Sequence, residues 1–138
     1  MPSDFDASIK LLYAVDLGSF FTIDDVANGA DFEVVANVEI GQDYNQNVDS
    51  FDLRVGIVNL TQSSSVKIVD DSGTLTPAAA PFFDERKVLI SGWSAQVGDV
   101  LQAVASYKVT AGVNTLTNEI VNNTDTITVQ AGATLTLN

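Results

Sequence analysis

The stretch "DFEVVANVEI", residues 31–40, decides the fold. Phe32, Val34, Ala36, Val38 and Ile40 fall on one side of an extended chain, and Glu33, Asn37 and Glu39 on the other. A period of two is the mark of a strand with one buried face. Working outward, "FDLRVGIVNL" at 51–60 sets Phe51, Leu53, Val55 and Ile57 against Asp52, Arg54 and Gly56. In "DVLQAVASYKV" at 99–109, Leu101, Ala103, Ala105, Tyr107 and Val109 oppose Gln102, Ser106 and Lys108. Weaker strands are "SIKLLYAVDL", "SVKIVD", "RKVLISGW", "NTLTNEIV", "DTITV" and "ATLTL". Turn signals punctuate them at Asn28-Gly29, Asp70-Asp71-Ser72-Gly73, Gly98-Asp99, Ala111-Gly112 and Ala131-Gly132. No helical apolar period is sustained. The pattern predicts one all-β domain over residues 1–138, an antiparallel β-sandwich. The small Ala103 and Ala105 mark a central strand, and Trp93 is the bulky group expected to fill the space they leave.

A chain of 138 residues, 46% hydrophobic, has enough apolar material for a single core. No apolar run reaches the ~18 residues of a membrane helix, so membrane insertion is not expected. Eighteen acids stand against six bases, a net charge of −12, which repels nucleic acid. Cysteine and histidine are absent. Disulfides, thiolate chemistry and the commonest general base and transition-metal ligand go with them. The N-terminal "MPSDFDASIK" carries acids where a secretory leader carries bases. It reads either as a chain made without export or as one whose leader is gone.

Two segments resemble immunoglobulin-like domains. "VANGADFEVVANVEI" resembles the turn-glycine lead into their second strand, and "GWSAQVGDVLQAVASYKV" the Gly-Asp lead into a late central strand. "NEIVNNTDTITV" is similar to the ending of bacterial cell-adhesion-related modules of the CARDB-like type. The resemblance implies an immunoglobulin-like β-sandwich whose role is to bind, space or assemble. The chain departs from that pattern in lacking paired core cysteines and in placing Leu101 where a corner tyrosine would stand. Its last segment, "TITVQAGATLTLN", reads as an extra C-terminal hairpin.

Candidate sites are few. Asp43, Asn45, Asn47 and Asp49 place oxygen ligands at alternate positions, as a calcium loop begins. Val48 and Arg54 stand where a helix–loop–helix site needs its glycine and its last acid. Asp and Asn also make turns through their own backbone, so the loop reading is preferred and no cofactor is expected, with calcium as the alternative. The doublets Asp24-Asp25, Asp70-Asp71 and Asp84-Glu85 point to opposite faces in an extended chain, which is not the geometry of a glycosidase pair. No nucleophile or phosphate motif appears, and no enzyme is expected.

Two aromatic doublets, Phe20-Phe21 and Phe82-Phe83, are the candidate interface. In an extended chain each sends one ring inward and one outward; in a coiled loop both fold onto the core. The expected function is therefore a non-enzymatic structural or interaction module on the surface of a larger assembly, such as a virion decoration or tail-associated protein. Its partners are proteins, through self-association or docking, at a virion or extracellular surface. The alternative is a bacterial cell-surface adhesion module stabilised by calcium. A carbohydrate-binding domain would need a concave face with exposed aromatic rings.

Overall fold

The alternation of residues 31–40 becomes the middle of a sheet in the computed structural model, which describes residues 7–114 and 119–137. In chain order the elements are β1 (Ala7–Asp16), β2 (Thr22–Ile23), β3 (Asp25–Val26), β4 (Phe32–Ile40), α1 (Gln42–Asn45) and β5 (Val48–Asn59). Then come β6 (Ser64–Thr74), β7 (Phe82–Ile90), β8 (Val100–Asn114) and β9 (Glu119–Leu137). They form a four-stranded sheet, β2-β1-β4-β7, and a five-stranded sheet, β3-β9-β8-β5-β6. Every pairing is antiparallel except the short β3, which runs parallel to the end of β9. The architecture is an all-β sandwich.

The three strongest sequence segments supply its core. Phe32, Val34, Ala36, Val38 and Ile40 of β4 are buried, as are Phe51, Leu53, Val55 and Ile57 of β5. Leu101, Ala103, Ala105, Tyr107 and Val109 of β8 are buried beside them. The register sets Leu53 against Tyr107, Val55 against Ala105 and Ile57 against Ala103, so branched side chains stand next to small ones. Each large apolar side chain so enclosed contributes about 1.5–3 kcal/mol. A one-residue slip would turn the whole set to solvent, which is what fixes the pairing. Trp93 is buried at one end, edge-on to Phe32 with ring centroids 5.8 Å apart, and its indole N–H donates to the Ala30 carbonyl at 2.9 Å.

Three expected turns are strand interior, the first being Ala111-Gly112 within β8, where the register with β9 shifts between Ala111 and Val113. β9 runs straight through Ala131-Gly132, with Ala131 paired to Ala105 and Ala133 to Ala103, so the extra C-terminal hairpin is one long strand. β6 likewise continues through Asp70 to Gly73. Gly132 and Gly73 serve close approach. A Cβ on Gly132 would lie 3.1 Å from the Gln102 amide nitrogen, and one on Gly73 would lie 3.1 Å from the Phe51 ring. Residues 115–118, which fall within the expected strand "NTLTNEIV", lie outside the described residues, as does the N-terminal "MPSDFD".

Where β6 and β7 face each other, the rim of the core is charged. The Arg86 guanidinium lies 4.8 Å above the Phe51 ring centroid, 2.8 Å from Asp71 and 3.3 Å from Asp84. Burial works against its charge, but the two carboxylates more than offset that, and its pKa is raised. Burial also pushes the Tyr107 phenol well above its ordinary range, with Asp84 adding to the effect.

A second polar tie joins the β5–β6 turn to the start of β8. Asp99 is buried and accepts from the Asn59 amide at 2.8 Å, the Gln96 backbone N–H at 3.1 Å and the Gln62 amide at 3.5 Å. The Asn59 hydrogen bond is the chief cause that holds the carboxyl below its usual value, against the opposing pull of burial. A carboxyl lowered in the folded state stabilises above its unfolded pKa, about 3.9, and that contribution is lost as pH falls through the folded value. Asp99→Ala is therefore expected to lower the thermal midpoint at pH 7 and to converge on the wild type in acid. Melts across pH 2–7, an interval set around that unfolded value of about 3.9, check it; a gap that does not depend on pH would refute the linkage.

Candidate functional site

Strand alternation also fixes what faces outward. On the outside of the four-stranded sheet, Leu11 lies level with Asn37 and Glu85, and Tyr13 with Val35 and Lys87. Val15 lies level with Glu33 and Leu89, and Phe83 with Glu39. Phe83 is 68% exposed, Leu11 58% and Leu89 47%, a high degree of exposure for large apolar groups on one sheet face.

The loop at 17–21 folds back over this face. Gly18 takes a left-handed φ of 74°, and its N–H donates to Glu33 Oε1 at 2.8 Å. Lys87 Nζ donates to the Ser19 carbonyl at 2.7 Å, pairs with Glu33 at 3.5 Å and sits 4.2 Å from the Phe20 ring centroid. Outward-facing Val15 and Val35 have no exposed surface, although Phe20 remains 60% exposed. Nearer the other end of the sheet, Lys10 pairs with Glu39 at 3.2 Å. Lys10, Asn37, Phe83 and Glu85 line a hollow of about 380 Å³. The arrangement is a half-apolar platform with a raised aromatic ring and an adjacent depression.

The opposite outer face has different chemistry. Ser50, Asp52, Asp70, Ser72, Lys108 and Thr110 line a hollow of about 460 Å³ on the five-stranded sheet. Arg54 donates to Asp70 at 2.8 Å, and that hydrogen bond is the chief cause holding the Asp70 carboxyl below its usual value. Among the described residues, the outward-facing side chains of this hollow offer hydroxyls and charges but no aromatic ring to stack on a sugar.

Of the expected interface rings, Phe82 is half-buried against the core and Phe83 points outward, as alternation requires of a strand. Phe20 and Phe21 differ from both expectations for a doublet. They lie in the loop ahead of β2, and neither packs inward, with Phe21 77% exposed. The structure thus brings Phe20 and Phe83 to one face and turns Phe82 away from it. Sequence reading missed the part played by Lys87; a lysine among outward positions of an edge strand gave no sign that it would hold a loop.

The quartet Asp43, Asn45, Asn47 and Asp49 does not form the alternating ligand row that an extended loop would give. Residues 42–45 make a helical turn, and a rotation of ~100° per residue separates side chains that period two would align. Asn45 is buried, its side-chain amide donating to the Ala80 carbonyl at 3.0 Å and the Ala78 carbonyl at 3.4 Å, while its backbone carbonyl accepts from Ala78 N–H at 3.1 Å. Asp43 accepts from Gln46 at 3.5 Å. Neighbouring Tyr44 donates its hydroxyl to the Val109 carbonyl at 3.1 Å. Among the described residues, no group of three or more acidic side chains is arranged to hold a metal ion. Two of the three carboxylate doublets are split by the pleat: Asp70 meets Arg54 outside while Asp71 meets Arg86 inside, and Asp84 points inward while Glu85 points out; Asp24 and Asp25 are both exposed at the start of β3.

No protein-family model matches the chain, and no curated protein matches its sequence. Among solved structures, the crystal structure of the C-terminal domain of Wzt superposes with a TM-score of 0.56 at 10% identity, covering 96% of this chain and 73% of that one. That likeness shows the two-sheet β fold and nothing finer.

Asn45 is a clasp between α1 and the 78–80 segment. Asn45→Ala is expected to cost about 1 kcal/mol by removing its hydrogen bonds to the Ala80 and Ala78 carbonyls. The same loss is expected in calcium and in chelator, with the wild-type midpoint equal in both. A midpoint raised by calcium would instead assign the loop to the ion.

Proposed function

We propose that this protein is a non-enzymatic interaction module that docks on a larger assembly through the outer face of its four-stranded sheet. The observation that carries the reading is the row of exposed Leu11, Phe20, Phe83 and Leu89 on a chain of charge −12. Large apolar side chains gathered on one sheet face, rather than scattered singly over the surface, favour an interaction site there. The charges around it fit the rim of an interface: acids and bases are already paired beside the rings. A virion decoration or tail-associated protein is the instance of this class favoured by an acidic module lacking cysteine and histidine.

The strand order supports the finer immunoglobulin-like reading. The succession β1-β4-β7 facing β9-β8-β5-β6 corresponds to the A-B-E and G-F-C-C′ arrangement of that family. Domains of this build present faces, edges and loops to partners, which agrees with a binding role and does not by itself establish one.

Fractionation of the native source by size tests the proposal. The wild-type chain is expected to travel with a particle far larger than 14.6 kDa, and a Phe83→Asp chain expressed in its place is expected to travel alone. Wild-type protein running at its own monomer mass in native material would sink the docking reading.

A further inference from the structure

We propose that the docking face also accepts a second copy of this chain, packed across a two-fold axis so that Phe20 of each copy enters the hollow beside Phe83 of the other. The inference rests on the docking reading above and adds the identity of one occupant.

Charge is the first argument. The chain carries −12, and two copies repel wherever that charge is spread evenly. Among the described residues, the outward-pointing ionic groups of this face are Lys10 and Lys87 against Glu33, Glu39 and Glu85, two bases against three acids. Lys10 is paired with Glu39 and Lys87 with Glu33, so Glu85 alone is left over. The face where apolar groups are exposed is thus one where a like-charged copy meets little repulsion.

Shape is the second. An isologous contact requires that one surface carry both halves of the fit. Phe20 stands above the sheet over Lys87, and the 380 Å³ hollow opens two positions along β7, between Asn37 and Glu85 with Phe83 as a wall. A two-fold axis lying in the interface and crossing midway between ring and hollow places each Phe20 in its counterpart's depression. Both insertions then occur at once. A ring seated in a desolvated pocket is the usual form of an energetic anchor.

Area sets the strength. Three strands about 4.8 Å apart and about nine residues long at about 3.3 Å each, with the two-residue β2 beside them, give roughly 460 Å² per copy. The pair would bury about 900 Å², below the ~1,200 Å² at which standard specific interfaces begin, so the dimer is weak and reversible. A face of that strength can release its own copy when a larger partner competes for it.

Sedimentation of the full chain from about 1 to about 300 μM, the range such an interface populates, tests this. The wild type is expected to move from 14.6 kDa toward twice that mass with concentration. Phe20→Asp and Phe83→Asp should each weaken association at least tenfold while leaving the thermal midpoint near the wild type. Val97→Asp, at an exposed apolar residue in the loop between β7 and β8, should leave it unchanged. A single species of 14.6 kDa throughout overturns the second-copy inference, as does association that survives both phenylalanine changes. If the isolated chain is monomeric while native material still carries it in a large particle, the docking reading stands and only self-pairing falls.

Discussion

The constraint on which the rest depends is that β4, β5 and β8 each commit alternate side chains to one shared core. Once Leu53 lies beside Tyr107 and Val34 faces the same interior, every intervening residue has its side assigned by the pleat. The exposed platform follows from the same rule. Phe83 and Leu89 point outward because Phe82, Val88 and Ile90 point inward, and Lys87 stands over the sheet because Arg86 is turned beneath it. Moving any outward group to the core would shift the register of the whole strand, at the cost of its buried neighbours. The function proposed for the outer face is therefore bound to the packing of the inner one.

The inward charges are consistent with this view. Asp71, Asp84 and Arg86 occupy core-facing positions at the rim where β6 and β7 end their sheets. An apolar set there would leave two long edge strands open to pairing with any extended chain. A paired charge cluster over Phe51 closes the rim instead, with water still reaching its outer side. Edge pairing is discouraged while the flat face of the same β7 stays available. The strand thus limits pairing at its edge and leaves its face to the proposed docking.

How much of this was legible beforehand differs by level. The sandwich was legible because Phe32, Leu53 and Tyr107 sit in segments whose inward positions are apolar at every second residue, a signal that local geometry alone produces. The C-terminal turn was misread because Gly132 suits a bend and a close approach equally, and only the Gln102 side chain across the strand distinguishes them. The quartet from Asp43 to Asp49 looked like a ligand row only if extended. The helical turn that breaks it is set by where Tyr44 and Asn45 find buried partners on β8 and the 78–80 segment. For the platform, Phe83 could be placed from sequence and Phe20 could not. The position of Phe20 depends on Gly18, Glu33 and Lys87, which lie far apart in the chain and meet only after both sheets have formed.

The contrast between the two outer faces makes the last step. Both sheets are built by the same alternation, so each had the same opportunity to be dressed in small polar residues. The five-stranded sheet took it over much of its face, with Ser50, Asp52, Ser72, Ser106 and Thr110 outward, and exposes one large apolar side chain there, Ile68, level with Gly56 and Val104. The four-stranded sheet carries Leu11, Phe83 and Leu89 in equivalent places, and folds a loop over itself that buries Val15 and Val35 yet leaves a phenylalanine on top. A loop serving only to cover apolar surface would end in a polar group. One that lifts Phe20 into solvent, steadied by a lysine already neutralised by Glu33, adds to the apolar exposure of that face. Such an arrangement is costly for a face that meets only water, and consistent with one that is covered when the protein is at work.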